Sequence, residues 1–266
     1  MSTSLTLRRG AASHLGLRRP INEDSLYSGA QLVAIADGVG GEAAGEVASD
    51  LAIGALRPLD TPEPRDPVTA LRTAYDTANR RIREAVAADP ALSGMATTLT
   101  TLLLSGNRLI LAHAGDSRAY VLHAGEFAQL TRDDTYVQLL VDQGRISPDE
   151  VSTHPHKSVV TRVLQGEPFD ATVTRRRAVP GDRYLLCSDG LSDAVSTADI
   201  AMTLRTEPDP DRCAARLIQL ALEGGGPDNV SVVVADVVGR PRRRLRALLA
   251  AGLVGLGAFV WWLLRP

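Results

Sequence analysis

Two segments in the first half of the chain, residues 45–59 and 67–88, carry apolar side chains at helical spacing. An apolar residue at every third or fourth position places these side chains along one side of an α-helix. They are Val47, Leu51 and Leu56 in the first segment, and Leu71, Ala74, Ala78, Ile82 and Val86 in the second. Both segments end at proline-containing turns, so the pattern predicts two amphipathic helices. Further helices are predicted over 135–143 and 210–223.

Short apolar runs typical of β-strands occupy much of the remaining chain. They cover residues 32–36, 97–104, 109–114, 119–123, 127–130, 171–178, 182–187 and 230–238. The small polar breaks at 105–107 and 124–126 are typical of hairpin turns, and we expect the four strands between 97 and 130 to form one antiparallel meander. Residues 144–166 fit no regular pattern. Paired helices and hairpin strands together predict an α+β fold.

Four aspartates stand in tight turns of small residues, each next to one of these apolar runs: Asp37, Asp116, Asp189 and Asp228. The ends of four strands can bring residues so distant in sequence to one point. Four clustered carboxylates would repel one another strongly unless cations lay between them. Ligation by oxygen with little His or Cys favours Mg²⁺ or Mn²⁺ over zinc. The pattern therefore predicts one metal site.

Composition narrows the function classes. The 266 residues can form one large domain or two small ones, and the formal net charge of −2 gives no reason to expect nucleic-acid binding. The basic run Arg175-Arg176-Arg177 has no interleaved aromatic residues for base stacking and is interpreted as solvated charge. Two cysteines, Cys187 and Cys213, imply no disulfide framework. Cys187 and His113 lie in apolar strands and are expected to be inert core residues.

The C-terminal part of the sequence differs from the rest. Residues 247–264 form an uncharged apolar run that as a helix would span roughly 27 Å, close to the thickness of a bilayer core. Trp261 and Trp262 lie near its end, and an arginine-rich segment, 240–246, precedes it. This pattern predicts a single-pass transmembrane helix with residues 1–239 in the cytoplasm. A buried C-terminal helix is the alternative.

Six short motifs follow one another in a characteristic order. They are Arg19 with Asn22-Glu23-Asp24, Asp37-Gly38-Val39-Gly40-Gly41, Ala96-Thr97-Thr98, Gly115-Asp116-Ser117-Arg118, Ser188-Asp189-Gly190 and Gly226-Pro227-Asp228-Asn229. Over residues 5–238 the chain thereby resembles the metal-dependent protein Ser/Thr phosphatases of the type 2C family. It is most similar to the bacterial subgroup, whose members are often tethered to membranes and act against eukaryotic-like Ser/Thr kinases.

The resemblance implies a four-layer αββα sandwich with two central antiparallel sheets, over residues 1–239. It also implies a site for two or three Mn²⁺ or Mg²⁺ ions. Asp37 would bridge two ions, with the Gly38 carbonyl on the second, and Asp189 and Asp228 would complete the first. Asp116 would hold a third ion together with Asp189.

Other roles carried by the resemblance concern the surroundings of the ions. Glu23 and Asp24 would act through metal-bound waters, with Asn229 also in this outer layer. Arg19 would bind the substrate phosphate, and Ser158 would lie near the third ion. Arg19, Asp37 and Asp189 would be the catalytic residues. The implied reaction is hydrolysis of phosphoserine and phosphothreonine in proteins by a metal-activated water.

Two positions depart from the family pattern. Val39 stands where some eukaryotic members have a histidine proposed as the general acid, so the group that protonates the leaving alkoxide is not assigned. Ala96 stands where bacterial relatives usually have glycine, and we expect its methyl group to be tolerated in an extended backbone.

Three other hypotheses stay open at this point. The chain could be a membrane-tethered pseudophosphatase that binds phosphoproteins without hydrolysis, a phosphatase for an anti-sigma-factor antagonist, or a regulatory metal-binding module. The expected partners are phosphorylated proteins, in particular Ser/Thr kinases and their substrates, at the cell membrane.

Overall fold

The computed structural model describes residues 4–40, 44–61, 66–168 and 170–240. These residues form six helices: α1 Ala44–Leu56, α2 Pro67–Ala88, α3 Tyr136–Asp142, α4 Asp189–Ser192, α5 Thr197–Thr206 and α6 Pro210–Glu223. They also form eleven strands: β1 Ser4–His14, β2 Asp24–Ser28, β3 Leu32–Val39, β4 Ala96–Thr97, β5 Leu99–Ser105, β6 Arg108–Ala114, β7 Arg118–His123, β8 Glu126–Gln129, β9 Thr172–Arg177, β10 Arg183–Cys187 and β11 Val230–Arg240.

The strands build two antiparallel sheets. Sheet A has the order β1-β11-β10-β7-β8 and sheet B the order β2-β3-β5-β6-β9, with the short β4 paired to β3. Every strand pairing within the described residues is antiparallel. Central strands such as β3 and β10 are apolar on both faces because each sheet is covered on both sides.

Three apolar layers hold the sheets and helices together. Between the sheets, Val33 and Leu102 of sheet B pack against Leu186 and Val233 of sheet A. Helices α1 and α2 cover the outer face of sheet B, and α5 and α6 cover the outer face of sheet A. Consecutive residues along one strand, for example Leu185 and Leu186, therefore enter different layers. The predicted α+β architecture with two antiparallel sheets is confirmed.

The expected single meander over residues 97–130 is wrong in one respect. Both hairpins exist, since β5 pairs with β6 and β7 pairs with β8, but β6 belongs to sheet B and β7 to sheet A. The chain crosses between the sheets at Gly115, whose φ of +109° is accessible mainly to glycine. A β-carbon there would also lie 2.6 Å from the side chain of Thr98. This crossover places Asp116 at the junction of the two sheets.

The predicted helix bounds agree closely at α2 and α6, whose residues are 67–88 and 210–223 as expected. The first helix ends earlier, at Leu56, and continues as a 3₁₀ turn, Arg57–Leu59. Helix α5 and strand β1 were not predicted. The start of α5 carries a capping signal, because Ser196 Oγ accepts a hydrogen bond from the backbone N–H of Asp199 at 3.1 Å.

Within the described part of the chain, no helix has the length and apolar character needed to cross a bilayer. The transmembrane helix predicted over 247–264 and most of the basic linker lie outside the described residues.

Candidate metal centre

The four aspartates lie at neighbouring strand ends on one edge of the sandwich. Asp37 is near the end of β3, Asp116 follows β6, Asp189 follows β10, and Asp228 precedes β11. All four line one cleft of about 420 Å³. Of the other predicted site residues, the lining includes Arg19, Glu23, Gly38, Ser158 and Asn229. Asp24 is buried beside the cleft and is not among its lining residues.

Hydrogen bonds to Thr97 in β4 and to Thr98, which lies between β4 and β5, fix the backbone at Asp37. Its N–H donates to Thr98 Oγ1 at 3.0 Å, and its carbonyl accepts from the N–H of Thr98 at 2.9 Å and from Thr97 Oγ1 at 3.0 Å. The Thr98 hydroxyl lies 2.7 Å from Ser117 Oγ, next to Asp116. The two threonines of the Ala96-Thr97-Thr98 motif thus connect the backbone around Asp37 with that around Asp116.

Gly38 allows helix α1 to approach the cleft closely. A β-carbon at Gly38 would lie 2.1 Å from the carbonyl oxygen of Gly45, at the start of α1. A β-carbon at Gly45 would in turn lie 2.5 Å from Oε1 of Glu23. Any larger residue at either position would displace the helix or the Glu23 carboxylate, which explains why small residues surround this turn.

Asn229 holds the loop that carries Arg19. Its Nδ2 donates to the carbonyls of Leu15 and Ile21, both at 2.9 Å, and its Oδ1 accepts from the N–H of Glu23 at 2.8 Å. Because the side chain uses both ends, it fixes the segment around Arg19 against the start of β11. The sequence assigned Asn229 an outer-layer role but did not reveal these three contacts.

Asp24 is placed by pairing within sheet B and by a contact with sheet A. It stands opposite Asp37 in the β2–β3 register. Its Oδ2 accepts a hydrogen bond from Ser188 Oγ at 2.8 Å, while Ser188 Oγ accepts from the N–H of Ser231 at 3.0 Å. Among the described residues, Asp24 Oδ1 and Glu23 Oε1 are buried side-chain oxygens with no hydrogen-bond partner. Such oxygens have unused capacity to accept from water or to bind a cation.

Burial and mutual repulsion raise the pKa of several carboxyl groups in and beside the cleft. Burial, then the neighbouring Asp189, raises the pKa of Asp37 well above its usual range. Burial also raises the pKa of Asp24 and of Asp116 to about 7, and that of Asp189 to about 6, with other aspartates adding to each shift. The carboxyls of Asp37 and Asp189 are close enough to hydrogen-bond through a proton. A cluster of this kind gains from a cation that replaces its protons.

Arg19 is attached to one of the predicted metal ligands. Its Nη2 donates to Asp228 Oδ2 at 2.7 Å, and the arginine side chain is about half exposed in the cleft. As the side chains stand, no group of three or more His, Cys, Asp or Glu in the described residues forms a ready-made cation cage. A cation bound to Asp228 Oδ2 would replace the hydrogen bond that this oxygen accepts from Arg19.

The irregular stretch predicted at 144–166 forms part of one cleft wall. Lys157 Nζ donates to Asp193 Oδ2 at 3.0 Å, which connects this stretch to the residue after α4. Ser158 and Val160 also line the cleft. Sequence reasoning did not identify Lys157 or Asp193 as cleft residues. The only feature of the sequence that singles out Lys157 is that it is the sole lysine of the chain.

The two residues expected to be inert core side chains are buried. His113 Nδ1 lies 2.9 Å from Thr100 Oγ1 and Nε2 lies 3.2 Å from the carbonyl oxygen of Arg132, so both ring nitrogens have protein partners. Burial raises the pKa of the Cys187 thiol to about 12. A thiol with such a pKa is not a nucleophile at neutral pH, which agrees with its interpretation as core.

Comparison with known proteins identifies the family. The family model described as protein phosphatase 2C matches residues 18–220, which include every cleft aspartate except Asp228. The chain belongs to the protein phosphatase 2C family. The resemblance inferred from the six motifs is thereby confirmed.

Proteins similar in sequence to this chain come from several bacteria. The chain is 53% identical over 253 residues to the Ser/Thr protein phosphatase PstP of Mycobacterium tuberculosis, a match that covers 95% of this chain and 49% of PstP. It is 31% identical over 237 residues to the protein phosphatase PhpP of Streptococcus pneumoniae, which covers 84% of this chain and 94% of PhpP. The chain therefore spans about half the length of the PstP sequences it matches.

Solved structures give the same result for the fold. A crystal structure of the M. tuberculosis phosphatase PstP superposes with a TM-score of 0.86 at 53% identity, covering 88% of this chain and all of that one. The catalytic domain of PstP in complex with two manganese ions superposes with a TM-score of 0.84 at 54% identity, with the same coverage.

Proposed function

We propose that this chain is a metal-dependent protein Ser/Thr phosphatase that uses Mn²⁺ or Mg²⁺. The observation that carries the proposal is the convergence of Asp37, Asp116, Asp189 and Asp228 from four strand ends into one cleft. The names of the relatives, the Ser/Thr protein phosphatase PstP and the protein phosphatase PhpP, and the two manganese ions described for the PstP catalytic domain support the same chemistry.

The residues of the cleft fit hard divalent cations. The donor set consists of carboxylate and carbonyl oxygens, which Mn²⁺ and Mg²⁺ prefer. Asp37, Asp189, Asp228 and the Gly38 carbonyl would hold two ions, and Asp116 with Asp189 would hold a third. The buried, unpartnered oxygens of Glu23 and Asp24 are placed to accept hydrogen bonds from waters around such ions. When bound, the ions supply Lewis-acid stabilisation of phosphoryl charge and acidify water for attack on phosphorus.

Arg19 is the substrate-binding group in this proposal. Its guanidinium reaches Asp228 and stands about half exposed, so it can turn from a carboxylate to a phosphate oxygen by rotating its side chain. Guanidinium binds phosphate through paired N–H donors, which also orients the ester for in-line attack. Ser158 and Lys157 lie on the wall of the same cleft, near the position proposed for the third ion.

The proposed substrates are phosphoserine and phosphothreonine in proteins, including Ser/Thr kinases and their targets. We further propose that residues 247–264 anchor the chain in the cell membrane with the catalytic domain in the cytoplasm. The apolar run and the preceding arginines support this placement.

Turnover of a phosphothreonine peptide, with and without metal, tests the proposal. The protein should release inorganic phosphate with Mn²⁺, lose that activity in EDTA and regain it when Mn²⁺ is restored. The conservative variant Asp37→Asn should be inactive in all three conditions. A folded, manganese-bound protein that releases no phosphate from any phosphopeptide would instead favour the pseudophosphatase hypothesis.

A phosphatase for an anti-sigma-factor antagonist would pass the same test, because its chemistry is identical. Comparison of the phosphoproteome in cells carrying the active protein and Asp189→Asn separates the two. Sites that accumulate on kinases and their targets support the proposal, whereas accumulation confined to an anti-sigma-factor antagonist supports the alternative.

A further inference from the structure

Four arginines form an exposed cluster at one edge of sheet B. Arg108 at the start of β6 stands directly opposite Arg177 at the end of β9, and Arg175 and Arg176 precede Arg177 on the same strand. We call these four residues the arginine patch; all are exposed and, with Asn107, surround an open depression of about 470 Å³. Strand β9 is the last strand of its sheet, so its outer edge is free to meet another surface.

The charge of the arginine patch is the next feature that bears on its role. Among the described residues, none of the four arginines forms an ion pair within 4.0 Å. Arg175 lies in the electrostatic range of Asp66, but that carboxylate caps helix α2. Like charges directly opposite one another, as at Arg108 and Arg177, destabilise a strand pair. An external anion would remove this cost.

The patch lies at the end of the sandwich opposite the cleft. Strand β6 runs from Arg108 to Ala114 and then reaches Asp116, so roughly 20 Å of extended chain separates the patch from the cleft. A phosphopeptide held by Arg19 would have to cross this whole length to contact the patch. The position therefore does not suit binding of the residues around the scissile phosphate.

The described chain leaves the sandwich at this same end. The turn after β9 is bonded to β11, because the N–H of Gly181 donates to the carbonyl of Val237 and the N–H of Val237 donates to the carbonyl of Asp182, both at 2.9 Å. Strand β11 ends three residues later, at Arg240. The sequence that follows, 240–246, contains five arginines and precedes the apolar run 247–264.

We propose that the arginine patch is a docking surface for the anionic headgroups of a lipid bilayer. The patch and the arginines of 240–246 would then contact the same membrane, and the cleft would face away from it toward phosphoproteins. Clusters of arginine beside a membrane span are attracted to anionic lipid. The inference rests on the membrane placement proposed above and is independent of the phosphatase chemistry.

Sedimentation with lipid vesicles tests the patch without the apolar run. A fragment ending at Arg240 is suitable because a PstP chain of the same extent folds as an isolated catalytic domain. It should bind vesicles containing phosphatidylserine and not vesicles of phosphatidylcholine alone, and the binding should weaken as salt rises. The triple variant Arg108→Gln, Arg175→Gln, Arg177→Gln should bind roughly a hundredfold more weakly. Arg176 is retained because it lies next to the hydroxyl of Tyr184.

A charge-matched variant separates the patch from net charge. Arg80→Gln, Arg212→Gln, Arg216→Gln removes three exposed arginines from helices α2 and α6 and should bind anionic vesicles like the parent fragment. Both triple variants should keep the parent melting temperature within a few degrees and the parent rate of phosphate release. Equal binding by all three proteins, or equal binding to both vesicle types, overturns the proposal. Tighter binding to soluble polyglutamate than to vesicles identifies an acidic protein partner in place of lipid.

The full chain provides an independent measurement. In nanodiscs containing phosphatidylserine, amides of β9 should exchange hydrogen more slowly than in phosphatidylcholine nanodiscs, whereas amides of α6 should not differ. Identical exchange of β9 in the two lipids would contradict the docking surface even if the chain is anchored and active.

Discussion

Buried carboxylates at the two ends of this sandwich have opposite surroundings. Asp236, at the end away from the cleft, is 7% exposed and accepts hydrogen bonds from Arg183 Nε at 2.6 Å and from Arg8 Nη2 at 2.7 Å. Asp24, beside the cleft, is 9% exposed, and the negative charges of Asp189 and Asp228 add to the effect of burial in raising its pKa. The two carboxylates are therefore buried to a similar extent, but arginines neutralise Asp236 whereas neighbouring aspartates repel Asp24.

This contrast gives a criterion for distinguishing buried carboxylates that stabilise the fold from those that take part in catalysis, namely the presence or absence of arginine partners. Arg183 donates a hydrogen bond to Asp236 and also donates to the carbonyls of Leu204 and Pro208. These contacts of Arg183 connect β10, β11 and the end of α5. Of the cleft aspartates, Asp228 is paired with Arg19. In the described part of the chain, Asp37, Asp116 and Asp189 form no ion pair within 4.0 Å, and a cation would neutralise them. Substitutions that convert Asp to Asn at each end should have different consequences.

The largest effect is expected on catalysis at the cleft. Asp189→Asn removes a proposed ligand of the first and third ions and should lower phosphate release by roughly a thousandfold or more, because several kcal/mol of transition-state stabilisation depend on the ions. The metal-free variant should be at least as stable as the parent, since one repelling charge is gone. Steady-state kinetics and urea unfolding measure the two quantities. If Asp189→Asn lowered the free energy of unfolding but kept the parent kinetics, Asp189 would have a structural role and not a catalytic one.

The same change at the other end should affect stability. Asp236→Asn leaves Arg8 and Arg183 without their anion. It should lower the free energy of unfolding by about 3 kcal/mol, because removing one partner of a buried ion pair leaves an uncompensated charge in the interior. Turnover by the folded fraction should equal that of the parent protein. Urea unfolding followed by far-ultraviolet circular dichroism gives the free energy of unfolding. The rate of phosphate release per folded molecule is the control.

A smaller effect is expected from pH on the metal-free protein. The pKa of Asp24 is about 7 in the folded state and 3.8 when unperturbed, so between these values the folded form holds a proton that the unfolded chain has released. Stability is then greatest at the acid end and falls as pH rises through this window, by about 2 kcal/mol from pH 5 to 7 for Asp24.

The difference between parent and Asp24→Asn isolates this contribution, because other titrating groups such as His113 are common to both. The variant should show the shallower loss of stability with rising pH in EDTA. Parallel pH profiles for the two proteins would show that Asp24 holds no extra proton in the folded state.

The smallest effect concerns Arg19, which pairs with Asp228 in the cleft. Arg19→Ala should raise KM for a phosphopeptide roughly tenfold and change kcat less, because a phosphate ligand is lost. It should also lower the Mn²⁺ concentration needed for half-maximal activity, because Nη2 of Arg19 no longer competes with the metal ion for Asp228. The exposed neighbour Arg18 supplies the control, and Arg18→Ala should leave both quantities unchanged.

Local signals in the sequence were sufficient for much of the fold. Apolar spacing and terminal prolines defined α2 and α6, and small turn residues defined the hairpins of β5–β6 and β7–β8. The passage from one sheet to the other at Gly115 was missed, because strand pairing beyond a hairpin depends on contacts between distant residues. Helix α5 was missed because ten residues give a weak periodic signal.

The candidate site shows the same division. The order of the motifs was enough to name the aspartates that the structure brings together in one cleft. It could not show that Asn229 fixes the loop of Arg19, or that Lys157 meets Asp193 across the cleft wall, because each contact joins segments far apart in sequence. Such contacts follow from the packing of two sheets and not from any local pattern.

The most direct test of the account is an anomalous difference map, recorded near the manganese edge, from crystals of this protein grown in Mn²⁺. The account predicts at least two peaks in the cleft, with carboxylate oxygens of Asp37, Asp189 and Asp228 at coordination distance and Arg19 turned away from Asp228. A map without peaks there, while Asp228 stays bound to Arg19, would contradict it.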